Sequence, residues 1–470
     1  MPRITGGGSR FRVRTIRAKS GVPIKGCLIH RGGVVLLPLA QVKTAGGSAL
    51  RAVQAGVWRL AQSLMPLINA RWIQRLRSHG MHNWQGAGVA RGAGAPHKIF
   101  VDLSVIARND SRTGIQRVVR SVMNEMRAAS ADQMLQPLRY DGGKFRTMGW
   151  PNATSAVGVP PHPEPGDVFL GLDLSIDAIR KGRKDLLRWK KAGVIFWFVI
   201  YDLLPIQHPA YFSAKLSVRF NWWFQTILHL ADGFVCISPH VAAELRRILL
   251  DRCADGSEIP VAVAPMGVDI AKDSRCGSGS RFSIPEFGQS KFVLAVGTLE
   301  PRKGYGDLLD AFELLWSEAN DTHLVIVGAP GWKTHALQDR MAKHPEHQRR
   351  LHWLTDLGDV ALLALYDRAE LLVAPSYAEG FGLPIIEAIA RSCPVLARDI
   401  GAFRAHATLG LRFFPANANA LALCRALDSA LTEMPKARRD SVPPPLPKWS
   451  DTASTILEVI ELGSRRMPIG

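Results

Sequence analysis

No acidic side chain precedes Asp102 in this 470-residue chain, whereas sixteen of its 59 Lys and Arg residues do. The remaining basic residues are nearly matched by the 40 acidic ones, so the formal net charge of +19 belongs to a leader and not to the rest of the chain. A sequence pI near 10.0 invites nucleic acid as a partner. The leader lacks zinc-finger, RNP and basic-zipper patterns, however, and no nucleic acid is expected. Cysteine is sparse: Cys27, Cys236, Cys253, Cys276, Cys393 and Cys424 are scattered, with no C-x-x-C. That spacing excludes a disulfide framework and a zinc site, and it fits reduced thiols in a cytoplasmic protein. No apolar run approaches the roughly 18 residues of a membrane-spanning helix. The early apolar stretch from Val34 to Leu39 is too short, and comes after too many charges, to be a signal peptide.

What is present is ordinary globular material. Hydrophobic residues make up 47% and charged residues 21%, enough apolar surface for folding, and the length suggests two domains. Residues 1–96 form a leader rich in Gly, Ala and Arg, expected to be disordered or partly helical. Within it Leu50, Val53, Val57, Leu60 and Leu64 recur at helical spacing, with a break near Pro66. A basic helix with Trp58 and Trp72 at its interface suits an anionic membrane surface, so peripheral contact at the inner face of the cell membrane is one expectation. A disordered tail, a transit-like leader and an upstream stretch translated from a wrong start codon are the alternatives.

Beyond Pro96 apolar runs alternate with amphipathic helical patterns, the signature of parallel α/β construction. Strands are expected at Ile99–Leu103, Asp167–Leu172, Val194–Tyr201, Gly233–Ile237 and Val261–Ala264. Helices are expected over Gly114–Met126 and over Pro239–Leu250, the latter capped by Ser238. Residues 97–271 then form one Rossmann-like domain and 272–290 a linker. In the second domain, 291–442, strands are expected at Phe292–Val296, His323–Val327, Arg350–Trp353, Leu371–Ala374 and Pro394–Ala397. Its helices fall at Tyr305–Ser317, Val360–Asp367 and Pro384–Ala390. Residues 443–470 supply a Pro-rich connector and a last helix, with Ser450 as its cap. The fold class is α/β: two doubly wound parallel sheets facing across a cleft, with ligands at the carboxyl ends of the strands.

The sharpest local pattern runs from Ala374 to Ala388. A strand feeds a loop holding Glu379, Gly380, Phe381, Gly382 and Leu383, and Pro384 opens a helix that contains Glu387 in its first turn. Alone, Glu387 reads as an acid favoured by a helix dipole and Glu379 as an exposed loop charge. Together they can face one pocket and accept bonds from sugar hydroxyls. This segment resembles the E-x7-E signature of retaining glycosyltransferases of the GT-B fold, family 4. Thr298 to Gly304 agrees with it: the loop joins a strand to a helix, so backbone N–H groups and the positive charges of Arg302 and Lys303 point at an anion site. In that family the loop Lys, matched by Lys303, and an Arg directly after the first glycine hold the donor phosphates. Here the Arg place is taken by Thr298. Thr113-Gly114-Ile115-Gln116-Arg117 resembles the glycine loop that approaches the diphosphate from the opposite domain, although an ordinary helix entry reads the same way. Ile200 to Pro205 resembles the family's H-D-x-x-P strand end, with Tyr201 in the His place and Asp202 retained.

The resemblance covers about Lys98 to Gly463. It implies Asp202, Lys303 and Glu379 as catalytic groups. For donor binding it implies Gly114, Thr298, Arg302, Lys303, Glu379, Gly380, Phe381, Gly382, Leu383 and Glu387. The implied reaction is transfer of a hexose, with a lean toward GDP-mannose, to a glycan or lipid-linked acceptor in polysaccharide or O-antigen synthesis. Front-face attack with retention needs no dedicated nucleophile. No two Asp residues stand two positions apart, so neither a metal site nor a cofactor is expected; Arg302, Lys303 and a helix N-terminus would replace the ion. His208 and His406 are read as surface or packing groups. Two rivals remain: a GT-B-shaped binding protein without catalysis, favoured by Thr298 and Tyr201, and a sugar-nucleotide epimerase, which would act with no acceptor.

Overall fold

The computed structural model describes residues 97–110, 113–130, 134–151, 158–252, 259–268, 290–438 and 444–466, together with a helix over 54–64 and short strands between 12 and 36. It divides into two compact units, Met1–His79 and Gly80–Gly470. In the first, Cys27–His30 and Gly33–Leu36 pair as an antiparallel hairpin. The helix over 54–64 coincides with the end of the Leu50–Leu64 pattern. Leu50, Val53, the break near Pro66, Trp72, the linker at 272–289 and Pro443 lie outside the described residues.

The second unit holds two sheets. Around the first stand β1 (Ile99–Asp102), α1 (Gly114–Ala129), β2 (Leu135–Asp141), β3 (Lys144–Thr147), β4 (Val168–Gly171), α2 (Ile176–Lys181), α3 (Arg183–Lys191) and β5 (Ile195–Ile200). They are followed by α4 (Leu204–Gln207), α5 (Ala214–Leu230), β6 (Gly233–Cys236), α6 (Pro239–Arg252) and β7 (Val261–Val263). The spatial order is β7-β6-β5-β4-β1-β2-β3, parallel except for the β2–β3 hairpin. Such a sheet is covered on both faces, which is why β5 reads Ile-Phe-Trp-Phe-Val-Ile without alternation and is buried almost throughout.

The second sheet belongs to β8 (Phe292–Val296), α7 (Tyr305–Ser317), β9 (His323–Val327), α8 (His335–Ala342), β10 (Leu351–Leu354), α9 (Asp359–Arg368), β11 (Leu371–Ala374), α10 (Leu383–Ala390), β12 (Val395–Arg398), α11 (Gly401–Arg404), β13 (Arg412–Phe414) and α12 (Ala420–Arg438). All six strands are parallel, in the order β10-β9-β8-β11-β12-β13. Both sheets thus start at the centre, run to one edge and resume on the other side, the Rossmann order with its switch point beside the first strand. Apolar clusters fill the two faces of the second sheet, one around Leu308, Phe312 and Leu427, the other around Tyr366, Ile386 and Phe403. The last helix, α13 (Trp449–Arg466), packs on α1 of the first sheet.

Several boundaries differ from expectation for physical reasons. Ser450 lies inside α13 and is not its cap; the Lys448 N–H is satisfied by the Asp451 carboxylate at 2.8 Å. In α10 Leu383 is the first helical residue, so Pro384 comes second and Glu387 falls beyond the first turn. Ser238 does cap α6, its hydroxyl accepting from Val241 N at 3.1 Å. Among the described residues no helix is long and apolar enough to cross a membrane, and no group of three or more His, Cys, Asp or Glu stands ready to hold a metal ion.

Candidate functional site

The strand β8 delivers the chain to Gly297, whose φ of 143° lies in the region that favours glycine, and a side chain there would crowd Lys303 Nζ at 3.2 Å. A single 3-10 turn, Pro301–Lys303, then projects Arg302 and Lys303 before α7 begins. Gly304 closes that turn at φ 69°, and a Cβ on it would strike the Pro375 carbonyl oxygen at 2.2 Å. The turn is therefore pressed against the loop after β11. Across this contact Lys303 Nζ donates to Glu379 Oε1 at 2.5 Å and Arg302 to Glu379 Oε2 at 2.6 Å. Ser376 donates to Oε1 at 2.9 Å, and the Arg302 Nε donates to Glu300 at 2.7 Å.

The electrostatics derive from this packing. Burial alone would raise the Glu379 carboxyl, but the Arg302 and Lys303 charges outweigh it and hold the group at about 2. Arg302 is pushed above its ordinary value: burial opposes its charge, and Glu379 and Glu300 more than compensate. Burial raises Asp202, which the Arg302 charge only partly offsets; Asp202 thus faces the same cationic pair from the other domain. Its Oδ1 accepts from Leu204 N at 3.2 Å, holding it at the end of β5. Tyr201, in the place of a sugar-contacting His, points the other way. It is buried, and its hydroxyl donates to Leu172 O at 2.6 Å, so it serves the first domain's core and not the cleft.

At Gly380 the two domains touch closely. A Cβ there would meet the Tyr201 carbonyl oxygen at 2.2 Å, and Ser238 donates to the Gly380 carbonyl at 2.8 Å. Gly382 takes φ 95° to turn the chain into α10. Phe381 is held by His406, which packs edge-on against its ring and bonds its carbonyl oxygen at 2.8 Å. Burial lowers His406 while its bond to the Phe381 carbonyl opposes that shift, and the ring packs as a structural group. His208 is exposed and stacks loosely beside Tyr211.

Gly114 begins α1 behind Thr113, which forms a capping box with Gln116. It opposes Leu383 across the cleft, 3.7 Å from where its Cβ would stand. Thr298 lies half-buried in the first loop. Glu387 does not join the Arg302–Lys303–Glu379 cluster. Its Oε2 accepts from Tyr366 at 2.8 Å and its Oε1 pairs with Arg117 of the first domain. Glu300, Ser376, Arg117 and Tyr366 are site members that the sequence did not single out. Glu300 sits two residues from Arg302 and Arg117 stands in the glycine loop, so proximity to a motif was the available signal. Nothing local marks Tyr366. Arg398, fully buried, supports the loop from behind by donating to Pro375 O and Asp307 Oδ2, each at 2.8 Å.

Comparison with known proteins agrees with this arrangement. Residues 279–441 match the family described as Glycosyl transferases group 1. The chain is 31% identical over 338 residues to the serotype-specific mannosyltransferase WbdA of Escherichia coli, 67% of this chain and 39% of that one. It is 37% identical over 113 residues to the O-antigen chain mannosyltransferase B of the same species, 23% of this chain and 29% of that. The chain therefore spans about two fifths of the length of WbdA. The solved structure of sucrose-phosphate synthase from Thermosynechococcus elongatus superposes with a TM-score of 0.54 at 17% identity, covering 78% of this chain and 98% of that one. At that identity the likeness concerns the fold, and it extends over both sheets. Residues 279–441 are accordingly a glycosyl transferases group 1 domain, set in a chain with the two-sheet GT-B fold.

Proposed function

We propose that the chain is a retaining hexosyltransferase of the family 4 type, moving mannose from GDP-mannose to a glycan or lipid-linked acceptor in cell-surface polysaccharide synthesis. The observation that carries this reading is the junction of Arg302 and Lys303 with Glu379 on one cleft wall, with Asp202 of the other domain close enough for the Arg302 charge to act on it. The names of the two mannosyltransferase relatives support the choice of sugar.

In this reading the donor diphosphate lies on the loop from Thr298 to Gly304, with Gly114 opposite, the nucleoside against Glu387, and the sugar beside Glu379 and the Gly380-Phe381-Gly382-Leu383 backbone. The acceptor hydroxyl oxygen bonds to the anomeric carbon on the face the diphosphate leaves. The bond from that carbon to the phosphate oxygen breaks, and the hydroxyl proton passes to the departing phosphate. Arg302 and Lys303 stabilise the charge that develops on it, a role worth about 10²–10³ in rate for one such donor. Asp202 orients the acceptor or the sugar. No metal or cofactor enters the scheme.

Sugar transfer from a panel of nucleotide sugars tests it directly. GDP-mannose should be used best, EDTA should leave turnover unchanged, and Lys303→Ala and Glu379→Ala should each lower turnover by about two orders of magnitude. Near-wild-type turnover in both variants sinks the assignment. Product without any acceptor would instead indicate an epimerase, and donor binding without product across many acceptors a binding protein. The acid-free leader is assigned to an anionic membrane surface near lipid-linked acceptors. Full-length protein should float with anionic liposomes and the chain beginning at Pro96 should not; equal flotation removes that part.

A further inference from the structure

Both oxygens of Glu387 are occupied by protein. Tyr366, on α9 of the same domain, donates to one, and the Arg117 guanidinium, reaching from α1 of the other domain, pairs with the second. The same guanidinium extends its other nitrogen to Asp359 Oδ1 at 2.9 Å, at the first position of α9. The Arg117 and Glu387 side chains are 23% and 9% exposed, so this is a covered pair and not a surface one. Burial disfavours the Arg117 charge, yet Glu387 and Asp359 together raise the group above its ordinary value. A carboxylate bonded once on each oxygen still has lone pairs to offer, but with its side chain only 9% exposed under the Arg117 guanidinium it is covered against a sugar diol.

The consequence rests on the assignment of Glu387 to the nucleoside. We propose that Arg117 is a positioning residue that gates the nucleoside subsite: in the free protein its guanidinium holds the place that the ribose hydroxyls take on Glu387, and donor binding exchanges one for the other. Arg117 belongs to one domain while Glu387 and Asp359 belong to the other. The exchange therefore unlocks an interdomain tie as the ribose arrives. An interaction present only in the free state subtracts its free energy from ligand affinity, so a group that merely occupies the site betrays itself by a gain of binding when removed. A group that touched the nucleotide would give a loss. The two roles have opposite signs.

The experiment is calorimetric titration of the full-length chain with GDP and UDP and with their 2′,3′-dideoxy counterparts, in wild type, Arg117→Ala and Asp359→Asn. Asp359 is exposed, so its substitution frees Arg117 from its second anchor without disturbing Glu387 or the folding of the domain. Arg117→Ala should tighten binding of the preferred diphosphate by roughly three- to tenfold, and Asp359→Asn should tighten it by less. Scattering from nucleotide-free Arg117→Ala should show a larger radius of gyration than wild type, a difference that saturating nucleotide abolishes. Weaker or unchanged binding in Arg117→Ala overturns the gate. The dideoxy compounds separate this failure from that of the underlying assignment. If they bind wild type as tightly as the ribose forms, Glu387 does not hold the diol. If they bind more weakly while Arg117→Ala shows no gain, the diol site stands and the gate falls.

Discussion

Asp102 ends β1 with its two carboxylate oxygens in unequal surroundings. Oδ1 accepts from the amide and the hydroxyl of Ser104, at 3.1 Å and 2.5 Å, while Oδ2 has no partner within hydrogen-bond geometry among the described residues, although the Ser175 hydroxyl lies near enough to favour the charged form slightly. Burial pushes Asp102 up to about 7; the Ser104 bond opposes this and the nearby Asp173 adds to it. Asp173, also raised by burial, stands at about 6 although Ile106 and Val105 donate to it. Both groups hold their protons more tightly folded than unfolded. Their contribution to stability is therefore complete below the ordinary value of about 3.8 and is lost as pH climbs through about 6 and about 7. Asp102→Asn fixes the neutral form and keeps an oxygen for Ser104. Thermal unfolding should show the variant about 2–4 °C more stable than wild type at pH 8, with the gap narrowing steadily and closing near pH 4. Parallel falls in the two proteins between those pH values would show that the Asp102 proton plays no part. The cationic turn behaves oppositely, because Glu379 at about 2 stays ionised across this range.

At the scale of elements, legibility in the sequence tracked the pattern of burial. In the second domain β8, α7, β9 and β11 fall where the apolar runs and helical periods place them. β8 and β11 are short continuous apolar runs, β9 is one after His323, and α7 has a clear stripe in Leu308, Leu309, Phe312 and Leu315. Helix α5 went unread because it is covered nearly all round. Ser217, Asn221, Gln225 and Thr226 are buried along with its aromatic residues, which erases the contrast between faces that periodicity detects. The β2–β3 hairpin was missed for a different reason: its turn, Gly142-Gly143, lies between strands that carry Arg139, Lys144 and Arg146, and these mask the alternation. In the site, the local grouping of Arg302 and Lys303 beside Glu379 was legible, because one strand-to-helix loop packs on the next. The pairing of Glu387 with Arg117 was not, since 270 positions separate the partners and only the closing of one domain on the other joins them.

Over the whole second unit, several contacts join the two domains. Besides the pairing of Arg117 with Glu387, Trp332 donates to Tyr211 O at 2.9 Å, and Lys333 Nζ reaches Ala210 O and Phe212 O at 2.9 Å and 2.7 Å. The α13 helix makes a different kind of tie. It comes after the second domain in sequence yet packs on α1, presenting Trp449, Ala453, Ile456 and Ile460 as one buried stripe. Thr452 takes the Gly267 amide at 3.0 Å and donates to Pro265 O at 2.6 Å, and at Gly463 a Cβ would collide with Trp197 at 2.4 Å. Burying each large apolar side chain of that stripe is worth roughly 1.5–3 kcal/mol, so its loss should fall on the first domain. Ending the chain after Pro447 should split denaturant unfolding into two steps, the earlier one belonging to the first domain, while the second domain unfolds at its former midpoint. The twelve Trp residues make fluorescence a suitable readout. One unshifted transition in the shortened chain would mean that α13 rides on the first domain without supporting it. Two transitions would show that the polypeptide returns from the second domain to complete the core of the first.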